Sequence, residues 1–460
     1  MGDSWATSGS DLHLELGGPR LRAGLAEALR DAMRTGRLVP GSRLPSSRSL
    51  AVDLGVARNT VANAYAELIA EGWLTAQQGS GTRVAQRTKP RRAGPTASRP
   101  QHRAAYSLLT GSPNLAQFPR REWLAAARRA ITAAPHEAFA LGDARGRVEL
   151  RTALADYLAR ARGVYADPDR IVICSGYHHA LGLIAQVLKG RRVRAVAVES
   201  YGLDVYREQL EKGGLRTPPL EVDADGARVA DLADLPGVGA VLITPAHQFP
   251  TGVALPPARR AAVLDWARST GGLVLEDDYD GEFRYDRAAV GALQSLDPDR
   301  IVYFGTVSKS LAPGMRLAWM VLPASLVPEV VAAKGYLDWL SSSLEQLTLA
   351  EFIASGSYDR HVRAMRLRYR RRRDQLVAAL APGFRVSGLA AGLQAVVDLP
   401  PGTEQSVIAA AAAQGLEISG ISEFRYGSFP PEKDALVINY SAPLDTEWAG
   451  ALETLCRVLA

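Results

Sequence analysis

Between residues 170 and 306 the chain alternates short, unbroken apolar runs with helical stretches, and this limits the fold more than any other feature. The runs 170-RIVICSG-176, 193-VRAVAVES-200, 238-VGAVLITP-245, 272-GLVLEDD-278 and 300-RIVYFGT-306 lack the in/out alternation of a half-exposed strand. They read as strands buried on both faces. The helical segments 147-RVELRTALADYLARAR-162, 177-YHHALGLIAQVLKG-190 and 257-PARRAAVLDWARSTG-271 lie before and between them. Such alternation predicts an α/β unit, a large and mostly parallel sheet with helices on both faces. Ligands of these sheets bind beyond the carboxyl ends of the strands, and the unusual residues of this chain fall there.

One strand run is followed by Asp277-Asp278-Tyr279 and another by Ser175-Gly176-Tyr177, which opens a helix. A third leads into the polar, proline-bearing loop 244-TPAHQFPTG-252, and the last into Thr306-Val307-Ser308-Lys309. Burying an unpaired ammonium is costly, so a lysine between serines after an apolar strand needs a use. Taken alone, 302-VYFGTVSKSLAPGMRLAW-319 fits a solvated loop lysine equally well. Asp-Asp alone fits a helix cap, and Ser-Gly a simple turn. Together they match what a phosphorylated aldehyde needs, an amine partner and a phosphate cup. Pyridoxal phosphate is the expected cofactor. Lys309 is its imine partner, an aspartate keeps the pyridine nitrogen protonated, and a tyrosine holds the phenolic oxygen. Thr306, Ser308, Arg316 and the amides of Ser175, Gly176 and Tyr177 are expected to neutralise the phosphate.

The charge is uneven. Residues 1–103 hold 15 Lys and Arg against 8 Asp and Glu, while the remainder holds 39 against 40, so the net +6 belongs to the first fifth of the chain. A nucleic-acid-facing module on a neutral larger domain fits this, as does a solubilising tail. The pattern decides. Leu21, Leu25, Leu29 and Met33 make one apolar helical stripe. A second helix starts at Pro45-Ser46, Gly55 allows a tight turn, and a third helix spans Arg58–Glu71 with Val61, Ala64, Tyr65, Leu68 and Ile69 inward. The stretch 73-WLTAQQGSGTRVA-85 reads as a β-hairpin wing. Helix, Gly turn and helix is the arrangement whose second helix enters the major groove. Arg58, Asn59, Thr60 and Asn63 lie where base contacts are possible, and Arg43, Ser47, Arg48 and Arg83 where phosphates are.

The stretch 44-LPSSRSLAVDLGVARNTVANAYAELIAEGWL-74 resembles the winged helix of GntR-type transcription regulators. Residues 244–319 resemble the fold-type I aminotransferases, and the whole chain resembles the MocR subfamily of GntR regulators. That resemblance implies an N-terminal winged helix-turn-helix, a fold-type I domain with a smaller C-terminal α+β subdomain, and a domain-swapped homodimer. It also implies that Asp277 rather than Asp278 pairs the pyridine nitrogen and that Tyr279 meets the ring oxygen. Several positions depart from the enzymes of this fold. Phe249 stands where they carry Asn, Leu141 where a tyrosine reaches the neighbouring phosphate, and Leu203 where an aromatic covers the ring, with Tyr201 as substitute. Val437 stands where an arginine grips the substrate carboxylate.

The expected organisation is a DNA-binding domain over 12–86, a flexible basic linker over 87–103 and a cofactor-binding effector domain over 104–460. The expected protein is a cytoplasmic regulator of operator DNA that senses pyridoxal phosphate itself or an amino compound, without catalytic residues of its own. Two rivals stand beside this reading. One is a working aminotransferase with an accessory DNA module, which the loss of the carboxylate arginine opposes. The other is a regulator that ignores the cofactor, which Lys309, Asp277, Tyr279 and Arg316 oppose. Two cysteines, Cys174 and Cys456, exclude a disulfide framework and a cysteine metal cluster. No apolar run is long enough to span a bilayer.

Overall fold

The computed structural model describes residues 21–77, 81–86, 104–285, 291–335, 342–380, 383–426 and 433–460. The proposed linker 87–103, the first residues of the proposed DNA-binding domain and the tip of the wing at 78–80 lie outside the described residues. The chain divides into two compact units, Met1–Gln101 and His102–Ala460.

In the first unit, helices Leu21–Thr35, Ser47–Asp53 and Arg58–Ala70 close around Leu25, Leu29, Leu50, Val61, Ala64 and Leu68. Ser46 caps the second helix by accepting the Ser49 N–H at 3.1 Å, as a serine before a first turn does. Gly55 turns the chain into the third helix with φ +64°, a conformation that glycine adopts without strain. Arg30 ties the first helix to the third through Glu67 at 2.8 Å and Glu71 at 2.6 Å. Strands Leu74–Gln77 and Gly81–Val84 pair antiparallel as the wing, and Leu74 and Val84 complete the core.

The second unit is built on a seven-stranded sheet. Its order is Ile171–Cys174, Ala318–Val321, Ile301–Thr306, Leu273–Asp277, Val238–Ile243, Ala195–Glu199 and Pro219–Leu220. All neighbours run parallel except that Ala318–Val321 is antiparallel to both of its partners. Alternate residues of one strand enter different cores. Val302 and Phe304 pack with helix Tyr177–Gly190. Tyr303 packs with helices Val148–Arg162 and Ser343–Ala354, and Ile301 with helix Pro257–Thr270. This two-sided burial explains the unbroken apolar runs. A smaller antiparallel sheet, ordered Val386–Ser387, Gln394–Asp398, Ala435–Asn439 and Ser419–Gly420, packs with helices Ser357–Leu380 and Asp445–Leu459. The first unit is thus a winged helix, and the second an α/β domain with a smaller α+β subdomain. Among the described residues, no helix is long and apolar enough to cross a membrane.

A buried ion pair fixes the centre of the large sheet. Arg162, the last residue of helix Val148–Arg162, donates to both carboxylate oxygens of Asp278 at 2.7 and 3.0 Å, and the Tyr303 hydroxyl donates to the same group at 2.8 Å. Both charged side chains are at most 5 % exposed. Removing one partner of such a pair strands the other's charge. Arg162→Ala should therefore cost about 3–5 kcal/mol in urea unfolding, whereas Arg162→Met with Asp278→Leu should cost much less.

Candidate functional site

A cleft opens at the carboxyl ends of the parallel strands and is lined by Lys309, Asp277, Tyr279 and Tyr177. Sheet register puts these residues together. Asp277 ends its strand opposite Phe304 of the neighbouring strand, and Lys309 follows that neighbour by a short turn. The Lys309 ammonium donates to the Gly111 carbonyl at 2.5 Å. Burial lowers its pKa, against the pull of Asp280 and Asp277, which favours the neutral amine that acts as a nucleophile.

Asp277 is buried, and its Oδ1 accepts no hydrogen bond. Burial, opposed by the neighbouring Tyr177 hydroxyl and helped by the charges of Asp278 and Asp280, pushes its pKa up to about 8. Asp278, by contrast, is fully engaged with Arg162 and Tyr303. The Tyr279 hydroxyl accepts from Gln394 Nε2 at 2.8 Å and lies 3.3 Å from His247 Nδ1, which is itself 2.9 Å from Asp280. Glu199 also lines the cleft. Burial raises its pKa to about 7, opposed by hydrogen bonds from Thr244 and Gln248.

An anion cup adjoins the cleft. Gly176, with φ +108°, precedes helix Tyr177–Gly190, and a Cβ there would sit 2.6 Å from an Arg316 nitrogen. Only glycine lets the guanidinium reach the helix N-terminus, where the first-turn amides and the helix dipole favour an anion, although the Ser175 N–H itself is donated to His179 Nδ1 at 3.0 Å. Ser175 and Arg316 line one cavity. Thr306 Oγ1 lies 2.9 Å from Ser308 Oγ and also accepts the Ser308 N–H. An amine, a lone buried carboxylate oxygen and a cationic cup are thus brought to one end of the sheet. Among the described residues no cluster of His, Cys, Asp and Glu is placed to hold a metal.

Reading the sequence missed several cleft residues. Glu199, Tyr206, Arg207, Tyr426 and Gln394 all line it. Gln394 reaches Tyr279 across 115 positions, a separation that leaves no local signal. Val437 is fully buried in a cluster with Tyr201, Val396 and Phe424, against which Leu203 and Phe249 pack. The place expected for a carboxylate-gripping arginine is therefore apolar. Two cations lie nearby: Arg207, stacked over Tyr426 at 5.1 Å and paired with Glu211 at 3.1 Å, and Arg425, over Tyr201 at 4.8 Å and paired with Glu221 at 3.1 Å. Leu141 is 80 % exposed and does not line the cleft.

In the first unit, Arg58, Asn59 and Asn63 are exposed on the start and outer face of helix Arg58–Ala70, with Thr60 half-buried between them. Arg43 and Arg48 are exposed and Ser47 is half-buried. Arg83 is exposed too, but its guanidinium donates to the Gly41 carbonyl at 2.9 Å, so it also holds the wing to the preceding turn.

Asp277 yields a pH-dependent prediction. A carboxyl whose folded pKa is raised favours folding when protonated, and that contribution is lost as pH rises from its unfolded value through the folded one. Without added ligands, Asp277→Asn should gain stability relative to wild type between about pH 4 and pH 8, with no further gain above. Urea midpoints across that range check it.

Comparison with known proteins places both units. Residues 21–84 match the model of bacterial regulatory proteins of the gntR family, and residues 108–451 that of aminotransferase class I and II. The chain is 31% identical to the HTH-type pyridoxine biosynthesis transcriptional regulator PdxR of Corynebacterium glutamicum, over 88% of each chain. It is also 31% identical to the probable rhizopine catabolism regulatory protein MocR of Rhizobium meliloti, over 90% of this chain and 88% of that one. In fold, the kynurenine aminotransferase of Pyrococcus horikoshii is similar, with a TM-score of 0.69 and 24% identity over 78% of this chain and 91% of that one. A winged helix, a sheet with its functional groups at the strand ends, and relatives matched along nearly the whole length lead to one statement: the chain belongs to the MocR-type regulators of the GntR family, which carry an aminotransferase-like domain.

Proposed function

We propose that this regulator binds pyridoxal phosphate in its aminotransferase-like unit and operator DNA through its winged helix, and that the cleft reports a small ligand, either pyridoxal phosphate itself or an amino compound. The observation that carries the cofactor reading is Asp277, a buried carboxylate whose Oδ1 lacks a well-aligned donor, with the Tyr177 hydroxyl as its polar neighbour, in the same cleft as Lys309. Buried polar atoms are rarely left unpaired without a reason, and a protonated ring nitrogen is a matching donor. Asp277 would hold that nitrogen, Tyr279 the ring oxygen, and Ser175, Gly176, Tyr177, Thr306, Ser308 and Arg316 the phosphate, with Lys309 as the covalent anchor. Bound there, the cofactor supplies an electron-withdrawing ring joined to an amine.

The apolar setting of Val437 disfavours an amino-acid carboxylate there, and the nearby cations Arg207 and Arg425 already pair with Glu211 and Glu221. The cofactor itself is therefore the favoured signal, and the similar PdxR, named for regulating pyridoxine biosynthesis, agrees with that choice. The working form is a homodimer. Leu124, Phe139 and Leu141, all more than half exposed, offer apolar surface that a second copy would cover. Arg58, Asn59, Thr60 and Asn63 would read bases, and Arg43, Ser47, Arg48 and Arg83 would position phosphates.

Incubation with pyridoxal phosphate should give visible absorbance that borohydride bleaches while fixing the cofactor to the peptide containing Lys309. Lys309→Ala should take up no covalent label, and a colourless, unlabelled wild type would sink the cofactor reading. On the operator, Arg58→Ala should cost roughly 1–3 kcal/mol if the side chain reads a base, measured against a random duplex on which the loss should be smaller. Operator affinity should also differ between cofactor-free and loaded protein, since a signal must bind two DNA-binding states unequally.

A further inference from the structure

The effector unit is nearly neutral as a whole, with 39 basic and 40 acidic residues after position 103, yet its longest described helix is strongly basic. Helix Ser357–Leu380, SYDRHVRAMRLRYRRRRDQLVAAL, carries eight arginines and two aspartates. Its inner stripe of Tyr358, Val362, Met365, Tyr369, Arg372, Leu376 and Leu380 is buried. Arg360, Arg363, Arg370 and Arg371 are exposed on the opposite side.

Some arginines of this helix have structural work. Arg372 pairs with Asp445 at 2.9 Å and donates to the Tyr440 carbonyl, Arg368 also pairs with Asp445, and Arg366 donates to the Glu282 carbonyl at 2.9 Å. The outer ones have little. Among the described residues, no carboxylate lies within ion-pair distance of Arg363 or Arg371, and Arg370 has only Asp374, at 3.9 Å. A solvated helix face ordinarily alternates its charges, as Asp204–Lys212 does here with Arg207–Glu211 and Lys212–Glu208 pairs. On the longer helix, Arg360, Arg363, Arg366 and Arg370 follow one another at three- and four-residue spacing, and like charges so placed repel. A polyanion laid along the face removes that repulsion.

We infer that the outer face of helix Ser357–Leu380 is a second DNA-contact surface, a sequence-independent one that holds backbone phosphates. It rests on the reading of this protein as a DNA-binding regulator. Arg360 and Arg371 stand roughly 16 Å apart along the axis, at 1.5 Å per residue, a span that faces several phosphates of a duplex. Guanidinium groups suit phosphate oxygens because their planar forks donate in pairs. The surface need not be strong. A duplex held by the winged helix is tethered to the same chain, and a tethered site engages at high effective concentration.

The test uses the full-length, cofactor-loaded protein and a random-sequence duplex of about 40 base pairs, titrated over a range of salt. The variant is Arg363→Gln with Arg370→Gln and Arg371→Gln, three exposed residues outside the core, and Arg48→Ala is the comparison in the winged helix. The triple variant should bind roughly tenfold or more weakly, with a salt slope shallower by roughly two to three, while keeping the wild-type unfolding midpoint and cofactor absorbance. A wild-type affinity and slope in the triple variant, with Arg48→Ala still impaired, would overturn this inference alone. A wild type that binds no duplex at low salt would remove the DNA reading and this inference together. Loss of binding to phosphatidylserine vesicles with unchanged DNA affinity would also overturn it, assigning the face to a membrane surface.

Discussion

Two adjacent aspartates at the end of one strand cannot point the same way, and the second unit is organised around how each is treated. Side chains alternate across a strand, so Asp277 and Asp278 face opposite sides of the sheet's edge. On one side the protein answers fully, with the Arg162 guanidinium and the Tyr303 hydroxyl closing on Asp278. On the other it leaves an oxygen of Asp277 unanswered at the floor of a cleft that also holds a lysine. The first arrangement holds helix Val148–Arg162 to the sheet. The second keeps a strong acceptor dry and available, at the cost of a carboxyl that resists ionising near neutral pH.

Glycine does the complementary job at another strand end of the same sheet. Gly176 has φ +108° and no room for a Cβ beside Arg316, which itself sits in the left-handed region at φ +52°. Backbone conformations of that kind are uncommon for a side-chain-bearing residue. They persist where the surrounding structure fixes them, here where a cation meets a helix N-terminus. A mostly parallel sheet brings both features to one rim because its strands end together there.

Much of this was legible in the sequence because the signals are local. Unbroken apolar runs marked the buried strands, Ser46 and Gly55 marked the turns of the DNA-binding unit, and the residues just after each strand marked the rim. The choice of Asp277 over Asp278 came from a resemblance; what no sequence pattern marked is that Asp278 is engaged by Arg162, 116 positions away. What stayed hidden depends on contacts between distant segments. Gln394 and Asn439 come from the smaller sheet, and Gly111 from a stretch that no periodicity marks. The partners of Arg372 and Arg368 lie more than 60 residues away, so the sequence did not separate the arginines with structural work from the idle ones. Arg83 was legible as a basic wing residue but not as one that also braces the turn at Gly41.

The walls of the cleft come from both sheets. Lys309, Asp277 and Tyr279 belong to the large sheet's rim. Gln394 and Asn439 belong to the small sheet, Leu393 leads into it, and Asn439 in turn holds the carbonyls of Leu109 and Ser112 beside Gly111. The hydrogen bond from Gln394 to Tyr279 is thus a latch between two lobes, and whatever fills the cleft becomes a second latch beside it. A ligand held there would touch both sheets at once, so the energy of filling the cleft and the energy of keeping the two sheets together would be one and the same.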